Sequence, residues 1–429
     1  MKYYIIAGEA SGDLHGSNLI RQLKEQDPQA DVRCWGGDKM QASGGHVVKH
    51  YKELAFMGFA EVVMNLRTIF RNMDWCKQDI LKYRPDVLIL IDYPGFNMRI
   101  AKWAHHLSSP SAEALHPNRP FPIVYYISPQ VWAWKEGRVR QIRANVDKML
   151  VILPFEQAFY KKWDYPVEYV GHPLVEVIDE ARTQPSPPSL AKSPSAPASP
   201  SVPGSSSAPG SSSAPASSSA PASPSAPAPP PFDKPVIALL PGSRKQEILK
   251  KLPIMLQVSR DFPDYQFVVA QAPGLEPDFY EHLLAGYSNV ASVTNQTYAL
   301  LLMARAACVT SGTATLETAL FGVPEVVCYK GSPISYQIAR RLIRVKYISL
   351  VNLIMDRLVV HELIQDDLTP QNLRRELDDI LHNPTRLAQL EKDYRELKEL
   401  LSQGGHASAN AARSILQFLQ QTPASPERA

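Results

Sequence analysis

The chain has 429 residues, of which 45% are hydrophobic and 20% charged, as in a globular protein with more than one core. A formal net charge of +3 without a long basic stripe argues against a nucleic-acid-binding protein. The four cysteines have no paired spacing, and no apolar run approaches the ~20 residues of a spanning helix, which argues against a disulfide framework, a zinc site and a transmembrane protein.

Short apolar runs alternate with longer helical patterns along two stretches of the chain. The runs of the first stretch are YYIIAG, VRCWGG, DVLILID, PIVYYIS and KMLVIL, and those of the second are VIALLPG, YQFVVAQ, ACVTSG and EVVCYK. This alternation predicts an α/β fold with a doubly wound parallel sheet in 1–182 and another in 233–429. Ligands of such sheets bind beyond the carboxyl ends of the strands, so we expect one ligand in each half, with the two meeting in a cleft.

A segment of Pro, Ser, Ala and Gly separates the two stretches, at 183–232. This composition cannot bury a core, and it predicts a disordered, partly polyproline linker. A spacer without chemistry is the expected role.

The first strand runs into the turn AGEASGD at 7–13. Small residues let a ligand approach the backbone there, and the N–H groups of the helix that follows favour anions or sugar oxygens. The turn matches neither a dinucleotide fingerprint nor a P-loop. Two interpretations stay equally open: a ligand loop that includes Glu9 and Ser11, or a tight turn with Ser11 or Asp13 as the helix cap.

The apolar run LILI ends in a single acid, Asp92, followed by YPGFN. A buried strand has little use for an unpaired carboxylate, because burying its charge costs free energy. Asp92 is therefore either a turn acid before the next helix or a functional carboxylate at the carboxyl edge of the sheet.

A stripe with helical spacing covers the apolar residues of 54–73. The stripe packs in the core, or it faces outward toward acyl chains or a membrane surface. Its members are Phe59, Val62, Val63, Leu66, Ile69 and Phe70.

Three further motifs offer groups suited to a phosphorylated sugar, each with an ordinary structural alternative. Trp132, in SPQVWAWKEGR, either packs in the interior or lies against a sugar ring. Arg244, in LLPGSR, is either an exposed loop residue or a bidentate ligand of a diphosphate. In SGTATLE, residues 311–317 are either an ordinary capped helix start or a ligand site. In such a site the first turn of the helix binds a phosphate, and Glu317 accepts hydrogen bonds from ribose hydroxyls.

Taken together, the motifs resemble the lipid-A-disaccharide synthase family. The resemblance rests on AGEASGD, MGFAEV, PDVLILIDYPGFN, YYISPQVWAWKEGR, LPFE, YVGHP, LLPGSR, SGTATLE and YISLVNLI, in this order. It implies a GT-B glycosyltransferase, with two Rossmann-like domains facing each other across a cleft. The reaction it implies joins UDP-2,3-diacylglucosamine to 2,3-diacylglucosamine 1-phosphate, and it releases UDP and lipid A disaccharide 1-phosphate.

The resemblance also implies a location and roles for individual residues. The enzyme is expected in the cytoplasm, peripheral on the inner membrane of a Gram-negative bacterium, without metal or other cofactor. Asp92 is expected to be the general base of an inverting displacement. The remaining site residues are expected to bind the acceptor (Glu9, Ser11, Asn97 and Trp132) or the donor (Arg244, Ser311, Gly312, Thr313, Glu317 and Asn352).

Two departures from the family pattern leave alternatives open. Gly95 stands where the pattern often has a second acid, and the linker is unusually long. The alternatives are another GT-B enzyme, such as a UDP-N-acetylglucosamine 2-epimerase or a transferase with a soluble acceptor, and a catalytically silent membrane-associated binding protein. The C-terminal helices, including SANAARSILQFLQ, pack either on their own first half or on that of a second copy in a homodimer.

Overall fold

The computed structural model describes residues 1–54, 66–107, 120–183, 232–272, 275–332, 336 and 345–421. Phe59, Val62 and Val63, and the linker between residues 184 and 231, lie outside this range. The chain divides into two compact units: the first takes the described residues of Met1–Asp179, Ser332–Val359 and Lys392–Ala429, and the second those of Glu180–Gly331 and Val360–Glu391.

The first unit contains a parallel sheet with the strand order β3-β2-β1-β4-β5-β6-β7 among the described residues. Its central strands, Val87–Ile91 and Ile123–Tyr126, are continuous apolar runs buried along their whole length, as expected for a sheet covered by helices on both faces. The strands are Lys2–Ala7 (β1), Asp31–Gly36 (β2), His46–His50 (β3), Val87–Ile91 (β4), Ile123–Tyr126 (β5), Lys148–Val151 (β6) and Glu168–Tyr169 (β7).

Helices lie between these strands along the chain, as parallel pairing of successive strands requires. They are Ala10–Gln26 (α1), Asp38–Ala42 (α2), Leu66–Tyr83 (α3), Pro94–His105 (α4), Val131–Trp134 (α5), Val139–Asn145 (α6), Pro154–Lys161 (α7) and Pro173–Thr183 (α8). Short 3₁₀ turns occur at Tyr51–Leu54 and Glu136–Arg138.

The second unit contains a parallel sheet with the order β10-β9-β8-β11-β12-β13 within the described chain. Its strands are Val236–Leu240 (β8), Gln266–Gln271 (β9), Val290–Thr294 (β10), Ala304–Thr310 (β11), Glu325–Tyr329 (β12) and His361–Ile364 (β13). Helices Lys245–Ser259 (α9), Pro277–Leu284 (α10), Thr297–Met303 (α11) and Thr313–Leu320 (α12) lie between them.

The C-terminal part of the chain is helical. Its helices are Leu350–Met355 (α13), Pro370–His382 (α14), Pro384–Ser402 (α15) and Ala407–Gln421 (α16), with a 3₁₀ turn at Gln365–Asp367. Among the described residues, no helix is both long enough and apolar enough to span a bilayer.

The prediction of an α/β fold with two doubly wound parallel sheets is confirmed. The expected division at 233 puts all C-terminal helices with the second sheet, whereas the described residues beyond Lys392 belong to the first unit. Side-chain hydrogen bonds between β7 and the last two helices explain this assignment. Tyr169 donates to the carbonyl of Leu401 at 3.1 Å, and Ser414 donates to Glu168 at 2.6 Å.

Candidate active site

In the first sheet, the strand order reverses between β1 and β4. Ala7 pairs with Ile91 at the ends of these strands, so the turns at Gly8 and Asp92 leave the sheet side by side. A Cβ at Gly8 would lie 2.3 Å from Cδ1 of Tyr93, so only glycine lets that ring lie so close. Such a reversal is where open α/β sheets bind ligands.

The backbone after β4 is strained. Asp92 and Tyr93 have φ angles of 43° and 47°, in the left-handed region that non-glycine residues rarely occupy. The carbonyl of Asp92 accepts hydrogen bonds from the Tyr125 hydroxyl at 2.6 Å and from Nδ2 of Asn97 at 2.8 Å. Strain held by two buried side chains is typical of a functional turn.

Asn97 is fully buried, and its amide also donates to the carbonyls of Ile6, at 3.3 Å, and Ile91, at 3.1 Å. The Asn97 side chain has no exposed surface in this structure, and its expected contact with the acceptor stays a prediction. Asn97 holds the ends of β1 and β4 together and fixes the position of Asp92.

The carboxyl group of Asp92 has an unusual protonation equilibrium. Its pKa is raised from 3.8 to about 7, mainly by burial and also by the charge of Glu9, while the backbone N–H of Tyr93 opposes both effects. A carboxyl group poised near neutral pH suits a general base.

Glu9 and Ser11 are exposed at the start of α1. Glu9 occupies the cap position, so neither Ser11 nor Asp13 does. Asp13 is instead buried, and its carboxylate accepts from the backbone N–H groups of Gly37 at 2.8 Å and Met40 at 3.0 Å. Asp13 thereby ties the turn after β1 to the turn after β2, while Glu9 and Ser11 keep accessible side chains.

Trp132 lies one strand further along this edge, after β5. Its indole N–H donates to the buried carboxyl of Glu156 at 3.2 Å, and its ring meets that of Phe155 edge to face at 5.0 Å. Burial raises the pKa of Glu156 to about 7, and the N–H group of Leu153 is the largest opposing influence. The Trp132 side chain is partly exposed, so its indole ring is held by the buried Glu156 and can still contact a ligand.

In the second sheet, the order reverses between β8 and β11. The turns after these strands contain Gly242 (φ 113°) and Gly312 (φ 141°), both in the region that favours glycine. Arg244 caps α9 with a side chain that is 62% exposed, and its guanidinium lies 3.5 Å from Glu247. The predicted donor residues Arg244 and Gly312 therefore share the carboxyl edge of one sheet.

Residues 311–313 begin α12, with Gly312 as its cap and both Gly312 and Thr313 exposed. A Cβ at Gly312 would meet no atom within 4 Å, so the space before this helix is open. Glu317 follows one turn later and accepts from the Tyr298 hydroxyl at 2.9 Å. Burial raises the pKa of Glu317, and that hydrogen bond opposes the shift.

Asn352, the last of the predicted donor residues, belongs to the first unit and not to the unit that contains Arg244 and Gly312. It is fully buried in the first unit, its Oδ1 accepts from the N–H of Val359 at 2.7 Å, and its own N–H donates to Ser349. As with Asn97, the Asn352 side chain has no exposed surface, and its expected contact with UDP stays a prediction.

One charged residue of this edge, Lys251, was not predicted from the sequence. Lys251 is only 2% exposed, and its ammonium donates to the hydroxyl of Thr310, the last residue of β11. Burial lowers the pKa of Lys251, and Glu247 opposes this effect most strongly. The helical spacing could have indicated its burial, because Lys251 lies three residues after Ile248 and four before Met255, on the buried face of α9.

The described end of the apolar stripe lies on α3. Ile69 is partly buried and Phe70 is 54% exposed. A surface cavity of about 530 Å³ is lined by Arg67, Phe70, Arg71, Asp74, Trp75 and Gln78. An aromatic ring between two arginines is therefore open to solvent at this position.

Sequence comparison decides the family. The lipid-A-disaccharide synthetase family profile matches residues 3–197 and 229–417. The chain belongs to the lipid-A-disaccharide synthase family. The lipid-A-disaccharide synthase of Geobacter metallireducens is 35% identical over 97% of this chain and 96% of its own. That of Coxiella burnetii, strain CbuG_Q212, is 33% identical over 96% of each chain. This chain is therefore a glycosyltransferase of lipid A biosynthesis.

Solved structures agree with the two-sheet architecture. The UDP-GlcNAc 2-epimerase from Neisseria meningitidis, bound to UDP-GlcNAc, has a TM-score of 0.60 at 11% identity, over 98% of this chain and 100% of its own. The calicheamicin glycosyltransferase CalG4 has a TM-score of 0.55 at 16% identity, over 98% of each. At such identities the likeness shows the GT-B fold alone. It does not favour the epimerase alternative.

Proposed function

We propose that the synthase joins UDP-2,3-diacylglucosamine to 2,3-diacylglucosamine 1-phosphate, with Asp92 as the general base. The observation that carries this proposal is the carboxyl group of Asp92 at the strand reversal of the first sheet, with a pKa raised to about 7. The first unit takes the acceptor, near Glu9, Ser11 and Trp132. The second takes the donor, near Arg244 and the start of α12.

The chemistry is a single displacement. Asp92 takes the proton of the acceptor 6-hydroxyl while that oxygen forms a bond to the anomeric carbon of the donor. The bond from this carbon to the diphosphate breaks at the same time, and its electron pair leaves with UDP. An α-linked donor then gives a β-linked product, so one base suffices and no covalent intermediate is needed.

The leaving group needs positive charge and hydrogen-bond donors. Arg244 supplies a guanidinium that can bind two phosphate oxygens. The first turn of α12 supplies backbone N–H groups at Gly312 and Thr313, together with the positive end of the helix dipole. Glu317 is available to accept hydroxyl protons of the ribose.

The test of this function is UDP release by the purified protein. With UDP-2,3-diacylglucosamine, release should require 2,3-diacylglucosamine 1-phosphate, and the product should carry a β-1,6 linkage by NMR coupling constants. UDP-N-acetylglucosamine alone serves as the control for an epimerase. Acceptor-independent turnover, or epimerisation of that control, would refute the proposal, and bound UDP without any turnover would favour the silent binding protein.

A peripheral position on the cytoplasmic face of the inner membrane belongs to the same proposal. The substrates carry acyl chains, and the exposed Phe70 between Arg67 and Arg71 supports contact with an anionic lipid surface. Combined replacement of Val63, Leu66 and Phe70 by serine should abolish cosedimentation with anionic vesicles. Unchanged cosedimentation, in a variant that still turns over detergent-dispersed substrate, would rule out this surface.

A homodimer is also part of the proposal. The helices beyond Lys392 pack on the first unit of their own chain, and two copies that exchanged these helices would keep the same contacts. Light scattering should give twice the mass of 47.7 kDa. A monomer mass for the active protein would contradict this assembly.

A further inference from the structure

Lys251 connects two turns of the second unit that are far apart in the sequence. Its ammonium donates to Thr310, which directly precedes the turn Ser311–Gly312. On the other side, a Cβ at Gly242 would lie 3.4 Å from Nζ of Lys251, so this ammonium also lies directly under the turn after β8. The residue therefore lies beneath both turns of the strand reversal.

From the Lys251 ammonium toward the surface, negatively and positively charged side chains alternate. One oxygen of Glu247 lies 3.6 Å from Nζ of Lys251, and the other lies 3.5 Å from the guanidinium of Arg244. Glu247 is partly exposed and Arg244 is exposed, so the series leads from the buried interior to the surface where the diphosphate is expected. Removing Lys251 would leave Glu247 to pair with Arg244 alone.

We infer that Lys251 is a positioning residue for the UDP leaving group. It fixes the turns after β8 and β11 relative to each other through Thr310, and it keeps Glu247 in place to orient Arg244. It also adds a fixed positive charge behind the diphosphate in a part of the unit that excludes water. This inference rests on the proposed function, because it assumes that UDP leaves at this edge.

The burial of Lys251 favours this role over a purely structural one. A lysine this buried is rare, because an ammonium loses its hydration and must be compensated by charge. Glu247 at 3.6 Å compensates it in part, beyond ideal hydrogen-bond length. A bound diphosphate would complete the compensation, so we expect the ligand and the buried charge to stabilise each other.

The experiment compares UDP binding and steady-state kinetics in matched variants. Lys251→Met keeps the length of the side chain and removes its charge. Thr310→Val removes the hydroxyl that Lys251 binds, and Thr310→Ser keeps it. Lys234→Met, at an exposed lysine of the same unit, and Thr318→Val, at a buried threonine of α12, are the controls.

Lys251→Met should weaken UDP binding in calorimetry by about 10- to 100-fold, by analogy with metal sites whose ligands lose an outer-shell partner. The donor KM should rise while the acceptor KM stays unchanged. Thr310→Val should show a smaller loss that Thr310→Ser restores, and both controls should bind UDP as the wild type does.

Wild-type UDP affinity in a folded Lys251→Met protein would overturn the inference. If that variant does not fold, equal UDP affinity of Thr310→Val and Thr310→Ser would overturn it as well. UDP binding does not depend on turnover, so a failure of the proposed function is distinguishable. In that case the wild type binds UDP but releases none in the presence of acceptor, whatever the variants do.

Discussion

Asp92 and Glu9 follow neighbouring strands, and the charge of Glu9 adds to the effect of burial on the pKa of Asp92. The base acts when it is deprotonated, so kcat should rise as the pH passes through about 7 and should level off above. Glu9→Gln removes one cause of the raised pKa, and this rise should move to lower pH, although burial keeps it above 3.8.

The measurement is kcat from pH 5 to 9, with saturating substrates, for wild type and Glu9→Gln. Glu25→Gln, at an exposed position of the same helix, is the control. A pH profile that does not move in Glu9→Gln would mean that Glu9 has no influence on the base.

Gly95 is exposed in the first turn of α4, and a Cβ there meets no atom within 4 Å. Gly95→Asp, which restores the acid frequent in the family, should therefore fold. A carboxylate in the first turn of a helix is stabilising by about 0.3–1 kcal/mol, and it should raise the pKa of the nearby Asp92. The rise of kcat should then shift to higher pH, and Gly95→Asn should leave it in place.

Thermal melting and the pH profile of kcat test this pair of variants. A Gly95→Asp protein that melts well below wild type would contradict the open space at this position. Equal pH profiles for the Asp and Asn variants would show that a charge at residue 95 does not change the pKa of Asp92.

At the scale of elements, Glu156 in α7 holds Trp132 in α5. Glu156→Gln keeps the shape of the side chain, but its single oxygen cannot accept both from the Trp132 indole and from the backbone N–H groups of Leu153 and Ile152. Unsatisfied buried donors should destabilise the protein by about 1–3 kcal/mol. If Trp132 binds the acceptor, the acceptor KM should rise while the donor KM stays constant.

A double-mutant cycle separates the two effects. Trp132→Phe removes the indole N–H, and combining it with Glu156→Gln should cost less than the sum of the single changes, because both remove one interaction. Additive effects on the acceptor KM would mean that Glu156 does not act through Trp132.

The elements themselves were predictable to different degrees. The nine strands expected from apolar runs are present, and the missed strands, β3, β7, β10 and β13, are the outer strands of the two described sheets. An outer strand pairs on one side only and is shorter or more polar, so it lacks the continuous apolar run of an inner strand. His46–His50 and Glu168–Tyr169 illustrate this, with no fully buried residue.

At the scale of the whole molecule, two buried histidines link the stability of the first unit to pH. Burial lowers the pKa of His15 to about 4 and that of His172 to about 3. Both bind protons near pH 6.5 only when the chain unfolds, so their contribution to the free energy of unfolding should decrease as the pH falls from about 6.5 to 4, while the raised pKa values of Asp92 and Glu156 act in the opposite direction.

Urea unfolding from pH 4 to 8 measures this decrease. As the pH falls from 6.5 to 4, the midpoint of His15→Gln should rise relative to that of the wild type, and that of His46→Gln, at an exposed position, should not change relative to it. A His15→Gln protein whose midpoint follows the wild-type dependence on pH between 6.5 and 4 would contradict a buried, neutral His15.

Long-range packing limits what the sequence can predict for the molecule as a whole. Motif positions located the carboxyl edges of both sheets, because parallel strands and their turns are local features. The burial of Asn97 and Asn352 was not predictable, since their partners are backbone groups brought near by the fold. The sequence left open whether the C-terminal helices pack on their own first half or on a second copy, and the structure assigns the described residues from Lys392 onward to the first unit of the same chain.

The most direct test of the proposed mechanism compares wild type with Asp92→Asn. Asp147→Asn, an acid at the opposite edge of the same sheet, is the control. With Asp92→Asn we expect acceptor-dependent UDP release to fall by about 10²–10⁴ in kcat, while the affinities for UDP and acceptor stay near wild type. An Asp92→Asn protein that folds and retains wild-type kcat would contradict the assignment of Asp92 as the base.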